Sequence, residues 1–220
     1  MLQPATLDFL RELKENNHKE WFEKNRSRYE AAKTDYLAFV AATLKQLQKA
    51  DPSLEGLEPK QCVFRINRDV RFSKNKAPYK SNMGASFSKG GKKINAAGYY
   101  FHCEPGQAFI AGGLWMPEAA DLKKIRQEID YSHDEFDAIV HNKKFVAQFG
   151  RLERNDVLSR PPKGYDETNP AIQHLKLKSF IASAPITDEE LTGKDLVKKV
   201  VAACETMKPL IYFLNRGMEG

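Results

Sequence analysis

Gly98-Tyr99-Tyr100-Phe101-His102-Cys103, then Glu104-Pro105-Gly106, then Gln107-Ala108-Phe109-Ile110-Ala111-Gly112: the reading of this stretch decides the fold. Two runs rich in aromatic and apolar residues flank a Pro-Gly turn, which predicts a hairpin of antiparallel strands. Upstream, Ala85-Ser86-Phe87 runs into the turn signal Lys89-Gly90-Gly91-Lys92, which extends the hairpin into a meander. Further upstream, Cys62-Val63-Phe64-Arg65-Ile66 alternates apolar with polar, as does its continuation to Phe72, and so predicts another strand. The strand block thus covers residues 61–115.

Helical patterns lie on both sides of it. Thr6 is placed to cap a helix carrying Leu7, Leu10 and Leu13 that ends near Asn16-Asn17. A second helix is predicted from Lys19 to Lys49, with Trp21, Phe22, Tyr29, Tyr36, Phe39, Val40, Leu44 and Leu47 on its apolar face. Asp51-Pro52 stops it, because proline disfavours the helical region for the residue before it. Pro117 opens a helix bearing Leu122, Ile125 and Ile129, and Ser132 caps another through Phe136, Ile139 and Val140. Residues 150–185 read as irregular, with turns at Pro161-Pro162, Gly164 and Asn169-Pro170. Thr187 and Glu190 have capping-box spacing, and a last helix from Lys194 to Asn215 should bend or split at Pro209. With no repeat or flexible linker, these patterns predict one α+β domain over residues 1–220: an antiparallel meander packed with N- and C-terminal helices.

Composition agrees with that class. A chain of 220 residues, 41% hydrophobic and 29% charged, is neither disordered, collagenous nor a coiled coil. At this length roughly 70% of the unfolded surface is buried, so neither a disulfide nor a structural metal is needed. No apolar run approaches the ~18 residues of a membrane span, so no membrane association is expected. Met1-Leu2-Gln3-Pro4 lacks the basic and apolar regions of a secretory signal. Cys62, Cys103 and Cys204 are odd in number and lack CxxC spacing, which suggests reduced thiols and a cytoplasmic location. The oligomeric state is left open.

The net charge of +6 is unevenly spread. Between Lys60 and Lys93 stand ten cations and one anion, Asp69, a local net of +9, so the rest of the chain sums to −3. A mildly acidic body with one strongly basic segment points to attraction of an anion. If residues 64–72 are extended, Phe64, Ile66, Val70 and Phe72 share one face, and Arg65, Asn67, Asp69 and Arg71 the other. Asp69 can then orient the guanidiniums of Arg65 and Arg71, whose planar forks match phosphate or carboxylate oxygens. Arg68 falls on the apolar face, which predicts a bulge or a buried acid partner. Lys74, Lys76, Tyr79 and Lys80 add donors from the following loop. The competing reading is a solvated face whose ion pairs contribute little.

Four stretches carry a family resemblance: LDFLRELKENNHKEWFEKNRSRY (7–29), RDVRFSKNKAPYKSN (68–82), PKGYDETNPAIQHLKLKSF (162–180) and Phe213-Leu214-Asn215-Arg216. They resemble the uncharacterised bacterial and fungal family DUF 2461, and the likeness spans essentially the whole chain. The most specific stretch, 68–82, is similar to the family's Arg-Asp-x-Arg-Phe-Ser-x-x-Lys-x-Pro-Tyr-Lys core. The resemblance implies a soluble single-domain protein and brings no activity with it. It also takes in a second basic segment, Lys163, Tyr165, His174, Lys176 and Lys178, which is a candidate second wall of one site; the plainer reading is a surface loop followed by an edge strand.

Other signals are weaker. His102-Cys103-Glu104 lacks the Pro-Cys-x-x-Cys partner of a zinc deaminase. His133, Asp137 and His141 have helical spacing for metal ligation but read as a solvated face, so no metal is expected. Residues 88–93 miss the P-loop pattern, GxSxG is absent, and no cofactor is expected. Three functions are therefore carried forward. The first is a site for a phosphate-bearing or other anionic small molecule, with Asp69 or His174 as base if the protein is an enzyme. The second is a nucleic-acid-binding module using the basic segment at 60–93. The third is a structural protein whose basic patch docks an acidic partner.

Overall fold

Strands β1 (Met83–Ser88), β2 (Gly98–Cys103), β3 (Ala108–Leu114) and β4 (Phe180–Ile186) form one antiparallel sheet in the order β1-β2-β3-β4. The computed structural model that gives this arrangement describes residues 1–91 and 94–219. Lys92 and Lys93, which belong to the basic segment and the turn after β1 in the sequence reading, lie outside the described residues. Register pairs Gly84 with His102, Ser86 with Tyr100, Phe101 with Ile110, and Ala111 with Ser183. Strand alternation then gives the sheet two unlike faces. Ala85, Phe87, Tyr99, Phe101, Cys103, Ile110, Phe180 and Ala182 are buried on one. Gly84, Ser86, Gly98, Tyr100, His102, Phe109, Ala111 and Ile181 lie on the other.

Ten α-helices are found among the described residues: α1 (Pro4–Glu15), α2 (Lys19–Lys24), α3 (Arg26–Ala50), α4 (Pro59–Cys62), α5 (Ala119–Tyr131), α6 (His133–Val140), α7 (Lys143–Phe149), α8 (Ile172–Leu175), α9 (Asp188–Thr192) and α10 (Leu196–Glu219). The apolar stripes of α3 and α10 cover the buried face. Phe39 of α3 meets Phe101 with ring centroids 4.7 Å apart, and Phe136 of α6 meets Phe213 of α10 at 5.0 Å. Asp51, buried at the end of α3, joins three elements: it accepts hydrogen bonds from the hydroxyls of Tyr99 in β2 (2.8 Å), Tyr212 in α10 (3.0 Å) and Ser53 (2.6 Å). Burial, reinforced by Asp51, holds the Tyr99 phenol far above its ordinary pKa, so it stays a donor. At Gly113 (φ 126°) β3 presses against β4, and a Cβ there would lie 1.8 Å from the Phe180 carbonyl oxygen.

The single α+β arrangement, the meander and the flanking helices agree with the sequence reading. Several local expectations do not. α1 begins at Pro4 with Gln3 as its N-cap, and Thr6 sits inside, donating to Asp35 at 2.6 Å. The expected helix over 19–49 is two, broken at Asn25, whose backbone (φ −106°, ψ 19°) leaves the helical region. Ser132 precedes α6 without capping it, because its hydroxyl turns back to Glu128. α10 runs unbroken through Pro209. Residues 150–185 contain α8 and the edge strand β4. The capping box at Thr187 and Glu190 forms as expected.

The largest correction concerns residues 62–72. Cys62 ends α4, which the Glu58–Gln61 capping box starts. Val63 then makes one isolated bridge to Ala85, and Asn67 makes another to Tyr79. The segment turns back on its own downstream loop instead of continuing along β1, so no ladder holds its side chains in two-residue alternation. Ile66 is buried as expected, whereas Phe64 is 42% and Phe72 96% exposed.

Candidate functional site

The open face of the sheet forms the floor of a cavity of about 970 Å³. Phe64, Arg68, Asp69, Lys80 and Asn82 wall it on the β1 side, Ile94 to Ala96 wall the end near Gly98, and Leu114, Trp115 and Glu153 wall the β3–β4 side. Small residues make the depth. Gly84, Gly98, Ala111 and Gly113 put little or no side chain on that face, leaving Tyr100, His102 and Phe109 as its relief. A Cβ at Gly84 would stand 2.6 Å from the Tyr100 hydroxyl, so the missing side chain is what lets the phenol lie across β1.

Three polar side chains run in file, two residues apart on one face of β2 and its extension: Tyr100 and His102 on the cavity floor, and Glu104 next to them beyond its lining. The Tyr100 hydroxyl is 3.0 Å from Nδ1 of His102, and Nε2 of His102 is 3.2 Å from Glu104 Oε2. His102 and Glu104 side chains are only 14% and 12% exposed. Phe109 stacks on the imidazole (4.7 Å, 11°), fixing its plane. Glu104 also accepts from Lys14 Nζ and Ser81 Oγ, each at 3.0 Å. Burial pushes the Glu104 carboxyl up, but the bonds from Lys14, His102 and Ser81 outweigh it and hold it below the ordinary value. An ionised carboxylate only accepts, so in the neutral imidazole the proton sits on Nε2, and Nδ1 accepts from Tyr100. Burial, and the Glu104 charge after it, raises the Tyr100 phenol, which keeps its proton.

Of the residues singled out in the sequence, Arg68, Asp69 and Lys80 line this cavity. Arg68 is half-buried and donates to the Ala77 carbonyl (3.0 Å) and Ser73 Oγ (3.3 Å); no buried acid holds it. These bonds use part of its five-donor fork and fix its plane. Lys80 lies over the Phe64 ring at 5.4 Å, and that ring meets Tyr100 edge-on at 6.1 Å, so the ammonium stands one ring away from the polar file. Asp69 pairs with Arg71 (2.7 Å) in an exposed turn, which holds its carboxyl below the ordinary value; Arg65 contributes only its charge.

The remaining candidates are elsewhere. Arg65 and Lys74 are exposed, and Lys76 donates to the Val70 carbonyl at 3.0 Å. Tyr79 is buried and stacked on Phe22 at 3.9 Å, a packing role. Lys176 pairs with Glu167 (2.8 Å) and Lys178 with Asp156 (2.7 Å). Lys163 is exposed, and Tyr165 packs on the core beside Arg126. His174 packs against Phe136 at 5.0 Å, 3.9 Å from Asp137, and burial lowers its pKa. None of the five from this second segment is among the cavity's lining residues, and among the described residues no group of three His, Cys, Asp or Glu side chains is placed to hold a metal.

Sequence reasoning passed over Tyr100 as a site residue, and weighed His102 and Glu104 only as a zinc-deaminase His-x-Glu, which it set aside. Their signal was present as polar residues at every second position of a strand whose other face is apolar. A partially buried polar file on the open side of a sheet is set apart from an ordinary solvated face only by what covers it. No helix of the described residues is long and apolar enough to cross a membrane. No curated protein and no solved structure matches the chain. One family model does: it covers residues 5–213, and the chain belongs to DUF2461, described as a conserved hypothetical protein.

Proposed function

We propose that the open face of the sheet binds a small molecule with a planar or apolar body and an anionic group, phosphate or carboxylate, directed at Arg68 and Lys80. The observation that carries this reading is the joining, in one cavity of about 970 Å³, of two cationic side chains at one end with an aromatic floor of Tyr100, His102 and Phe109. Ligand sites combine an apolar lining with a few oriented polar groups, and their volumes run to about 1,000 Å³. Glu153, on the β3–β4 wall, disfavours anions away from the Arg68–Lys80 side and so sets an orientation. Phenyl phosphate is a suitable probe. Followed by amide NMR, its titration is expected to shift Gly84, Ser86, Gly98 and Ala111 together and to saturate. Shifts confined to the exposed loop at 70–76, or no saturable shift, contradict the reading.

One observation favours nucleic acid as a second reading. Phe72, 96% exposed, lies 5.9 Å from the Arg71 guanidinium in a segment where Arg65 and Lys74 are also exposed, and offers a stacking face. Binding of a generic oligonucleotide through this loop would weaken steeply with salt and be lost in Phe72→Ala.

A further inference from the structure

We propose that Tyr100 is the nucleophile of a Tyr100–His102–Glu104 triad acting on phosphate esters held in the cavity. This deepens the cavity reading and rests on it. The arrangement reproduces the logic of an activated hydroxyl. The nucleophile donates to an imidazole at 3.0 Å, and the imidazole donates from its other nitrogen to a carboxylate at 3.2 Å that Lys14 and Ser81 keep in place. Each part is held by its surroundings. Gly84 makes room for the phenol, Phe109 holds the imidazole plane, and Lys80 stands one ring from the hydroxyl. A hydrogen-bonded file that served packing alone would need neither the empty position at Gly84 nor a cavity in front of it.

In the step, Tyr100 Oη forms a bond to phosphorus while the bond from phosphorus to the leaving oxygen breaks. The phenolic proton passes to Nδ1 of His102, where Glu104 balances the imidazolium, and the leaving alkoxide, in line on the far side of phosphorus, takes a proton from solvent water. Water completes the cycle by attacking the tyrosyl phosphate from that far side: His102 returns its proton to the departing phenolate, and the proton lost by the attacking water goes to solvent, replacing the one given to the alkoxide. The raised phenol means that the proton leaves during attack and not before it, which is the task of the neighbouring base. Arg68 and Lys80 would neutralise the charge on the phosphoryl oxygens.

The test uses 4-(fluorosulfonyl)benzoate, an aromatic anion whose sulfonyl fluoride reacts with activated phenols: the Oη–S bond forms, S–F breaks, and the proton goes to His102. Peptide mass spectrometry of the whole protein is expected to find the label on Tyr100. The rate should saturate with probe concentration and be suppressed by phenyl phosphate. Glu104→Gln and His102→Asn should lower the limiting rate by about 10²-fold or more, with thermal unfolding checking that each variant is folded. Label on other residues, or none on Tyr100 after exhaustive incubation, overturns the triad, and the wild-type map decides this even if both variants unfold. An unchanged limiting rate in a folded Glu104→Gln protein overturns it as well. Labelling of Tyr100 that neither saturates nor responds to phenyl phosphate, with the variant rates reduced, supports the triad and removes the cavity reading.

Discussion

Glu104 is the residue on which the polar file depends, and its protonation has a thermodynamic signature. Its folded pKa lies below the ordinary carboxylate value because Lys14, His102 and Ser81 outweigh its burial. The stability it contributes is fully present above the unfolded pKa of about 4.3 and is lost as the pH falls through the lower folded value. In urea unfolding followed from about pH 7 to about pH 3, Glu104→Gln is expected to start less stable and to lose less on the acid side. Parallel acid limbs in variant and wild type would contradict this. Gly84→Ala is the complementary substitution. The added methyl falls 2.6 Å from the Tyr100 hydroxyl, the movable end of a side chain, so the phenol swings away while the fold survives. Thermal unfolding should change by only a few degrees (about 1 kcal/mol), while saturable labelling or probe binding in the cavity is lost. Full retention of binding would show that the phenol's position is irrelevant. At this scale the sequence was least legible. Arg68, Asp69 and Lys80 were read from charge density and do line the cavity. Tyr79 could be read as a hydroxyl donor, a stacking face or a packing residue, and it stacks on Phe22; whether an aromatic ring meets Phe22 or solvent is a tertiary fact.

At the scale of elements, stability concentrates where the covering helices meet the sheet. Asp51 closes the end of α3 on β2 and α10. Asp51→Ala would strip the buried Tyr99 hydroxyl of its partner at a cost of about 3 kcal/mol, whereas Tyr212→Phe, which removes one bond at a half-exposed position, should cost about 1 kcal/mol. Denaturant midpoints measure both, and equal effects would contradict the assignment of Asp51 as a three-element lock. Gly113→Ala combines a φ that L residues avoid with a backbone clash against β4, and should destabilise by about 3 kcal/mol or more. Elements fixed by local chemistry were legible: the Pro105-Gly106 hairpin turn, the Thr187–Glu190 box and the stop at Asp51-Pro52 all stand where the residues put them. Residues 62–72 failed as a strand although their pattern alternates, since alternation needs a partner along its whole length and the chain there pairs with its own loop. The plainer reading of the second basic segment put an edge strand after its loop, and β4 is one; its span went unread because Ser183, Ala184 and Pro185 are weak strand formers that an edge position tolerates.

Viewed as a whole molecule, the chain separates covering from access. α3 and α10 seal one face of a four-stranded sheet, and the other is left to a wall of loops that carries much of the basic segment. The excess charge therefore does two different things. Arg68 and Lys80 line the cavity, while Arg65, Arg71 and Lys74 are exposed outside it, Arg71 against the Phe72 ring. The second basic segment joins neither group, being tied in part to Glu167 and Asp156. Calorimetric titration of phenyl phosphate into the wild-type protein and into Arg68→Ala tests the division most directly. One equivalent should bind, with modest dependence on salt, and the variant should weaken it by about tenfold or more, as expected for loss of a charge-assisted bond of about 1.5–3 kcal/mol. Identical isotherms for the two proteins, or heats that vanish in moderate salt for both, would contradict a defined anion position on the open face of the sheet.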